Sequence, residues 1–120
     1  MAKGSRAYEK IYCVTKTGAF ARDFRLASQI QSAAVSIMSN VAKGFERKRS
    51  SEFHQFLSIA KASCAEVRSI LYVAFDVEHI DEDTFNDVRN QADEVGRIIG
   101  ALRASIELPL KSKPVTKDTK

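Results

Sequence analysis

An apolar seven-residue repeat near the end of the chain constrains its fold more than any other feature. Its members alternate in steps of three and four residues: Phe85, Val88, Ala92, Val95, Ile99, Leu102 and Ile106. This spacing predicts a helix that packs lengthwise against other helices. Asp81 is a natural N-cap for it, and Glu82 and Asp83 suit the positive end of the helix dipole. We therefore predict a helix over residues 82–107.

Two earlier stretches carry the same helical spacing. The first, residues 24–46, begins after Asp23, a second natural N-cap. Its expected core is Leu26, Ile30, Ala33, Ala34, Ile37, Val41 and Phe45. The second, residues 51–77, takes Ser50 or Ser51 as its predicted N-cap. Its expected core is Phe53, Phe56, Leu57, Ala60, Cys64, Val67, Leu71, Ala74 and Phe75.

The first helix is predicted to be short. A stripe from Tyr8 to Thr15, followed by Gly18 as a helix-ending glycine, indicates a helix over residues 5–17. At ~1.5 Å per residue, this helix reaches only half as far as the helix over residues 51–77. A bundle built from them would leave apolar surface exposed at one end.

These four helices place the chain in the all-α class. The two prolines, Pro109 and Pro114, lie beyond them, and no segment alternates as a strand does. We predict that residues 1–108 form one antiparallel up-down four-helix bundle with a short first helix. Residues 109–120 are predicted to be a basic, disordered tail.

Three details of the packing also follow from side-chain type. The many small residues of the helix over 24–46 favour a close approach to its neighbours. Asn40 lies near the core edge and is predicted to be a hydrogen-bonded structural amide. Tyr72 and Val73 extend the apolar surface of their helix beyond one stripe, which fits either contact with another subunit or partial exposure.

Composition and motifs exclude several classes of function. The chain has 120 residues, no uninterrupted apolar run of ~18 residues and no signal-peptide pattern, so we predict a cytoplasmic protein. Cys13 and Cys64 lack a zinc-ligand spacing and are predicted to be buried thiols, with no metal or cofactor. The pair Asp76-x-x-His79 is too small a ligand set for a bundle di-metal site. The sequence contains no glycine-rich phosphate loop, HExxH or nucleophile elbow, which predicts a non-enzymatic protein.

Charge is distributed unevenly along the chain. Residues 1–75 carry 12 Lys or Arg and 5 Asp or Glu, whereas residues 76–107 carry 3 and 9, and residues 108–120 carry 4 and 1. The net charge is +4. A basic half joined to an acidic half fits a polyanion partner, or helices that complement each other's charge in an assembly.

The basic residues concentrate between two predicted helices. The candidate nucleic-acid-binding residues are Lys43, Arg47, Lys48 and Arg49, supported by Arg22, Arg25, Lys61 and Arg68. Such side chains bind phosphate oxygens, and arginine can do so bidentately. Because Phe45 and Phe53 are assigned to the core, no aromatic residue is left to stack on unpaired bases, which favours duplex or structured RNA. A solvated turn is the alternative interpretation.

The stretch LASQIQSAAVSIMSNVAKGFERKRSSEFHQFLSIAKASCAEVRSIL, residues 26–71, resembles the four-helix-bundle proteins encoded in 23S ribosomal RNA intervening sequences. The matching positions before the turn are Gln29, Ile30, Ala33, Ala34, Val35, Ser36, Ile37, Ser39, Asn40, Ala42, Gly44, Phe45 and Arg47. Those after it are Glu52, Phe53, Phe56, Leu57, Ile59, Ala60, Ser63 and Glu66. With weaker similarity in residues 8–25 and 72–106, the resemblance covers most of the chain.

The resemblance implies an antiparallel up-down bundle, often assembled as a homopentamer with a central channel and without enzymatic activity. The family is also similar to the accessory proteins of diversity-generating retroelements, which are pentameric bundles that bind a reverse transcriptase and nucleic acid.

This chain departs from the family pattern at several positions. Gln31 and Ser32 replace a pair of arginines, Lys43 replaces an acidic residue, and Met38 replaces a proline. The family's first helix normally starts earlier and includes a tryptophan, and this chain has no tryptophan. We therefore expect a truncated first helix, caused either by a degenerating gene or by a misassigned start codon.

The sequence thus predicts a non-enzymatic nucleic-acid-binding protein that forms a homo-oligomeric ring, a pentamer by resemblance. Its predicted ligand is structured RNA associated with a 23S ribosomal RNA intervening sequence. The alternative is an oligomeric scaffold that binds a protein partner and has no direct role with nucleic acid. The broad apolar face of residues 51–77 and the acidic last helix fit that second function.

Overall fold

The computed structural model describes residues 2–47 and 49–106, with side chains described from residue 7 onward. Within these ranges the chain is helical and contains no strand. Its elements are α1 (Ala2–Val14), α2 (Gly18–Arg22), α3 (Phe24–Glu46), α4 (Ser50–Asp76) and α5 (Glu82–Ala104). The all-α class is confirmed. Lys48 and the predicted tail, residues 109–120, lie outside the described residues.

The predicted helix bounds agree with the structure to within three residues. The helix predicted over 24–46 is α3, and that over 51–77 is α4 displaced by one residue. The helix predicted over 5–17 is α1, which begins and ends three residues earlier. The last helix, predicted over 82–107, is α5 and ends three residues early.

The three longest helices run antiparallel in succession, as their cross-contacts show. Ser36 meets Ser63 midway along α3 and α4, whereas Gly44 near the end of α3 faces Phe53 near the start of α4. Between α5 and α4, the facing pairs in order are Arg103 with Ser58, Gly96 with Lys61, Asp93 with Arg68, and Phe85 with Tyr72. The shorter α1 packs against both α3 and α5.

The core follows the predicted apolar stripes. The largest fully buried aliphatic side chains are Ile11, Ile30, Leu57, Val67, Leu71, Val88, Val95 and Ile99. Five members of the heptad on α5 are buried, while Leu102 and Ile106 at its end are partly buried against the core. Burial of such a side chain stabilises the fold by about 1.5–3 kcal/mol. The heptad is therefore the inner face of α5.

A polar contact fixes the register of α3 against α4. Ser63 Oγ donates to Ser36 Oγ at 2.8 Å, across the two helices. Asn40 Nδ2 donates to the Ser36 carbonyl oxygen at 2.8 Å and approaches Ser36 Oγ at 3.0 Å. The prediction that Asn40 is a hydrogen-bonded structural amide is confirmed, because its partners all belong to the bundle.

The short helix α2 was not predicted. It begins at Gly18, whose φ of 66° is in the left-handed region that glycine tolerates, and it directs Phe20 into the core. Phe20 is 0% exposed and its ring lies 5.7 Å from that of His79. Gly18 therefore starts α2 and does not directly end α1, which stops at Val14.

Two predictions about α1 and the start of α4 are wrong. Cys13 is exposed, because it lies two positions after the inward-facing Ile11 on α1; Cys64 is buried as expected. Burial raises the pKa of the Cys64 thiol. The N-cap position of α4 belongs to Arg49, with no side-chain capping bond, so neither Ser50 nor Ser51 caps the helix.

The carboxylate of Asp23 ties the start of α3 to the connection between α4 and α5. Its Oδ2 lies 3.0 Å from His79 Nε2, and its Oδ1 accepts from the Leu26 N–H at 3.2 Å. These two contacts, the first being the larger, lower the pKa of Asp23. At the start of α5, the Thr84 N–H lies 2.8 Å from Asp81 Oδ1 and lowers the pKa of that carboxyl.

We expect stability to fall on the acid side. A third aspartate, Asp87, has its pKa lowered by Lys10, whose Nζ lies 2.7 Å from Asp87 Oδ2. A carboxyl whose folded pKa is depressed stabilises the protein above its unfolded pKa of about 3.9, and that contribution is lost as pH falls through the folded value. Urea denaturation from pH 7 to pH 2.5 should therefore show a plateau above about pH 5 and a decline below about pH 4. The variant Asp81→Asn keeps a capping oxygen but has no carboxyl to titrate, so its free energy of unfolding should decline less below about pH 4. If the variant and the wild-type chain lose the same free energy in acid, the Asp81 carboxyl is not a cause of the decline.

The outer surface of α4 carries large apolar side chains. Tyr72 is 48% exposed, Val73 is 47% exposed and Val77 is 52% exposed. The apolar surface that the sequence predicted beyond the core stripe is therefore open in the single chain. Among the described residues, no helix is long and apolar enough to cross a membrane.

Candidate nucleic-acid interface

The turn between α3 and α4 holds the densest group of exposed basic side chains. Lys43 lies in the last turn of α3, Arg47 is its C-cap, and Arg49 is the N-cap of α4. All three side chains are exposed. Lys43 and Arg47 are four positions apart, about one helical turn, so they lie on the same face of α3. We call these three residues the basic turn; Lys48, also predicted here, lies outside the described residues.

Arg47 is held by an aromatic ring and only loosely by an acid. Its Cζ lies 5.1 Å from the centroid of the Phe56 ring, within the range of a cation–π contact. The Nε atom is 4.0 Å from Glu52 Oε1, and an exposed ion pair of this length contributes little. The guanidinium is therefore positioned by the ring and keeps donors for an anion.

Phe45 lies beside the basic turn and is 59% exposed, so its predicted place in the core is wrong. Gly44, one position earlier, takes the inward position, with Phe53 directly against it. The Phe45 ring instead rests 5.1 Å from the Phe53 ring, on the outside of the bundle. An aromatic ring suited to stacking on an unpaired base is therefore available here.

The other predicted basic residues do not join the basic turn. Arg22 ends α2 and Arg25 lies in the first turn of α3, about 33 Å from Arg47 along the helix. Lys61 and Arg68 lie on the flank of α4 that faces α5. The predicted set therefore falls into three places: the basic turn, the opposite end of α3 and the groove between α4 and α5.

Lys61 and Arg68 lie against glycines of α5. Lys61 Nζ is 3.4 Å from the Gly96 carbonyl oxygen, and its side chain passes over Gly100. Arg68 Nε is 3.6 Å from Asp93 Oδ1. These contacts hold both cations at the α4–α5 boundary.

Sequence reasoning missed Arg103, which also lies at this boundary. Arg103 Nη1 donates to Ser58 Oγ at 3.2 Å, which places its guanidinium in line with Lys61. In the sequence, the positive charge of Arg103 was hidden by the net negative charge of residues 76–107. Six of the nine acids in that segment lie before residue 88, whereas its three basic residues are Arg89, Arg97 and Arg103. The negative charge of this segment is thus concentrated in the connection from α4 to α5 and in the first turns of α5, not along a face of the helix.

Most of this helical chain matches one known protein family. A family model described as 23S rRNA-intervening sequence protein matches residues 1–101. The chain belongs to this family. The family assignment made from residues 26–71 is therefore confirmed, and the match extends across α1 and most of α5.

A solved structure shares the fold of this chain. It is the 1.70 Å crystal structure of a protein with unknown function from the S23 ribosomal protein family of Bacteroides thetaiotaomicron. The two are 18% identical and superpose with a TM-score of 0.79, covering 87% of this chain and 97% of the other. No curated protein matches this chain in sequence. At this identity the structural likeness supports the fold alone.

Proposed function

We propose that this chain is a non-enzymatic protein that binds structured RNA associated with a 23S ribosomal RNA intervening sequence. The observation that carries the proposal is the basic turn, where Lys43, Arg47 and Arg49 are exposed together at one end of the bundle. Membership of the 23S rRNA-intervening sequence protein family makes an RNA ligand the natural choice.

The basic turn has the chemistry to bind a phosphate backbone. Arg47 and Arg49 offer planar guanidinium groups that can grip a phosphate bidentately, and Lys43 adds a point charge one turn away. Phe45 provides a ring on which an unpaired base can stack. A stem with a loop or bulge presents both features, because its duplex part is recognised through the backbone and its unpaired bases can stack on an aromatic side chain.

We further propose that the chain assembles into a homo-oligomeric ring, a pentamer by family resemblance. The exposed Tyr72, Val73 and Val77 of α4 offer apolar surface for such contacts. A ring would repeat the basic turn around one rim and so multiply its phosphate contacts. Light scattering coupled to size-exclusion chromatography measures the subunit number directly; a monomer at micromolar concentration would exclude the ring.

The test of RNA binding is a charge reversal with a matched control. We expect the wild-type chain to bind a hairpin with a stem of about 16 base pairs, and the affinity to fall steeply with salt. The variant R47E/R49E should bind at least ~100-fold more weakly, because each charge-assisted bond is worth about 1.5–3 kcal/mol. The control K16E/R97E makes the same change of charge at two exposed positions outside the candidate binding residues and should bind within about threefold of wild type.

The measurement is fluorescence anisotropy with the labelled hairpin across a salt series, beside matched duplex DNA. Equal weakening in the variant and the control would indicate nonspecific attraction by net charge. No binding by the wild-type chain at moderate salt would contradict the proposal.

A protein scaffold is the second candidate function, favoured by the same exposed apolar side chains on α4. In that case R47E/R49E should leave partner binding intact, whereas Y72S/V73S should abolish it. Binding of the protein partner by both variants would remove this alternative.

A further inference from the structure

A second row of basic side chains runs along the boundary of α4 and α5. Lys61 and Arg68 are seven residues apart on α4 and so lie on one helix face. On α5, positions 89, 93, 96, 100 and 103 follow the three-and-four spacing of one stripe beside the apolar heptad. The basic members of both stripes, which we call the seam, are Lys61, Arg68, Arg89 and Arg103.

Two glycines give the seam its shape. A Cβ placed on Gly100 would lie 3.4 Å from Lys61 Nζ, and one placed on Gly96 would lie 3.7 Å from Arg68 Nη1. The missing side chains leave a shallow trough on α5 in which the α4 cations rest. Glycine costs about 1 kcal/mol relative to alanine inside a helix, so two of them on one stripe need a packing or functional reason.

The seam carries more positive charge than its neighbours neutralise. Of the residues at the five stripe positions of α5, only Asp93 is acidic, and it lies 3.6 Å from Arg68 Nε. Lys61 has three ammonium donors, and its contact with Gly96 is long. The Nε of Arg89 is buried without a hydrogen-bond partner, while its Cζ lies 5.5 Å from the Phe85 ring. The Lys61 ammonium and the Arg103 guanidinium are thus held in place with donors still open to an anion, whereas the buried Nε of Arg89 is not.

The seam and one end of the basic turn both lie on α4. Arg103 reaches Ser58, two turns into α4, and Lys61 and Arg68 follow along the same helix. From Arg49 to Arg68 the axial distance is about 28 Å at 1.5 Å per residue. This length is close to one turn of a nucleic-acid duplex, about 34 Å for B-form DNA.

We infer that the seam is a phosphate-backbone site that extends the basic turn along the side of the bundle, so that a duplex stem lies along α4 and α5. This inference rests on the proposed RNA-binding function. The basic turn then holds the end or loop of the stem, and the seam contacts phosphates farther down it. A long stem gains from the seam, whereas a short stem does not reach it.

The test compares two stem lengths and three variants. The variant K61Q/R103Q removes two seam charges and spares the Arg68–Asp93 pair. We expect it to bind a hairpin of about 16 base pairs at least ~10-fold more weakly, with a salt slope smaller by about two. On a hairpin of about 5 base pairs it should match wild type, whereas R47E/R49E should fail on both. The control K16Q/R97Q changes two exposed cations outside the basic turn and the seam and should match wild type on both stems.

A second seam variant guards against misfolding of the first. G100D places a carboxylate beside Lys61 without removing any cation and should weaken binding of the long stem in the same way. Circular dichroism and the urea midpoint check the fold of each variant. Equal affinity of both seam variants and wild type for the long stem would overturn the inference and leave the basic turn intact. Failure of the wild-type chain to bind either stem would instead overturn the proposed function.

Discussion

Replacing Phe20 by alanine should lower the free energy of unfolding by about 3–5 kcal/mol, the usual cost of truncating a buried phenylalanine. Phe20 is the largest of the fully buried side chains, and α2 has only five residues. A helix that short has no stability of its own in water, so its place depends on this ring. Truncation removes the contact with the His79 ring as well as the core packing.

The natural control is Phe24→Ala, four positions later. Phe24 is 81% exposed at the start of α3, and an exposed substitution of this kind changes stability by only about 0.5 kcal/mol. Urea denaturation followed by circular dichroism measures both variants on the same scale. If the two alanine variants lose the same free energy, α2 is not anchored to the core in the way the structure indicates.

The long helices could be predicted from sequence because period and capping agree. The heptad from Phe85 to Ile106 and the cap residue Asp81 give α5 independently of each other. For α3, Asp23 likewise marks the start of the helix independently of the apolar spacing, and its side chain accepts a hydrogen bond from the Leu26 N–H. When local signals and the apolar pattern point to one structure, the helix needs no information from the rest of the fold.

The short helix α2 and the end of α3 could not be predicted from the spacing of apolar residues. Phe20 stands alone between Gly18 and Asp23, and five residues are too few to show a helical repeat. Phe45 fits the apolar spacing of α3, yet the core there is filled by Gly44 against Phe53. Which of two adjacent residues faces the core depends on the side chains of the neighbouring helix. The sequence of α3 alone does not contain that information.

The candidate site was only partly predictable for a related reason. The basic turn is contiguous in sequence, so its residues were found together. The seam combines two helices, and its arginines on α5 lie in a segment of net negative charge. Charge summed along a segment conceals how a helix separates its faces, whereas the pairing of Arg103 with Ser58 reveals it.

The same substitution at two glycines should have opposite effects. A Cβ on Gly44 would lie 2.9 Å from Phe53 Cδ1 and 3.5 Å from Phe56 Cβ, so the Phe53 ring must move. We expect Gly44→Ala to destabilise the protein by about 1–2 kcal/mol, in the range of overpacked cores. A Cβ on Gly96 meets its nearest neighbours, Arg68 and Cys64, at 3.7 and 3.8 Å, which is ordinary contact.

Gly96→Ala should therefore stabilise the protein by about 0.5–1 kcal/mol, because alanine is the better helix former. Urea midpoints of the two variants would then lie on opposite sides of the wild-type value. The Gly44 variant should also bind the RNA hairpin more weakly, because a displaced Phe53 ring shifts its neighbour Phe45 beside the basic turn. If both Gly44→Ala and Gly96→Ala stabilise the protein, the Phe53 ring can move aside at no cost in free energy. Close packing would then not be the reason for glycine at position 44.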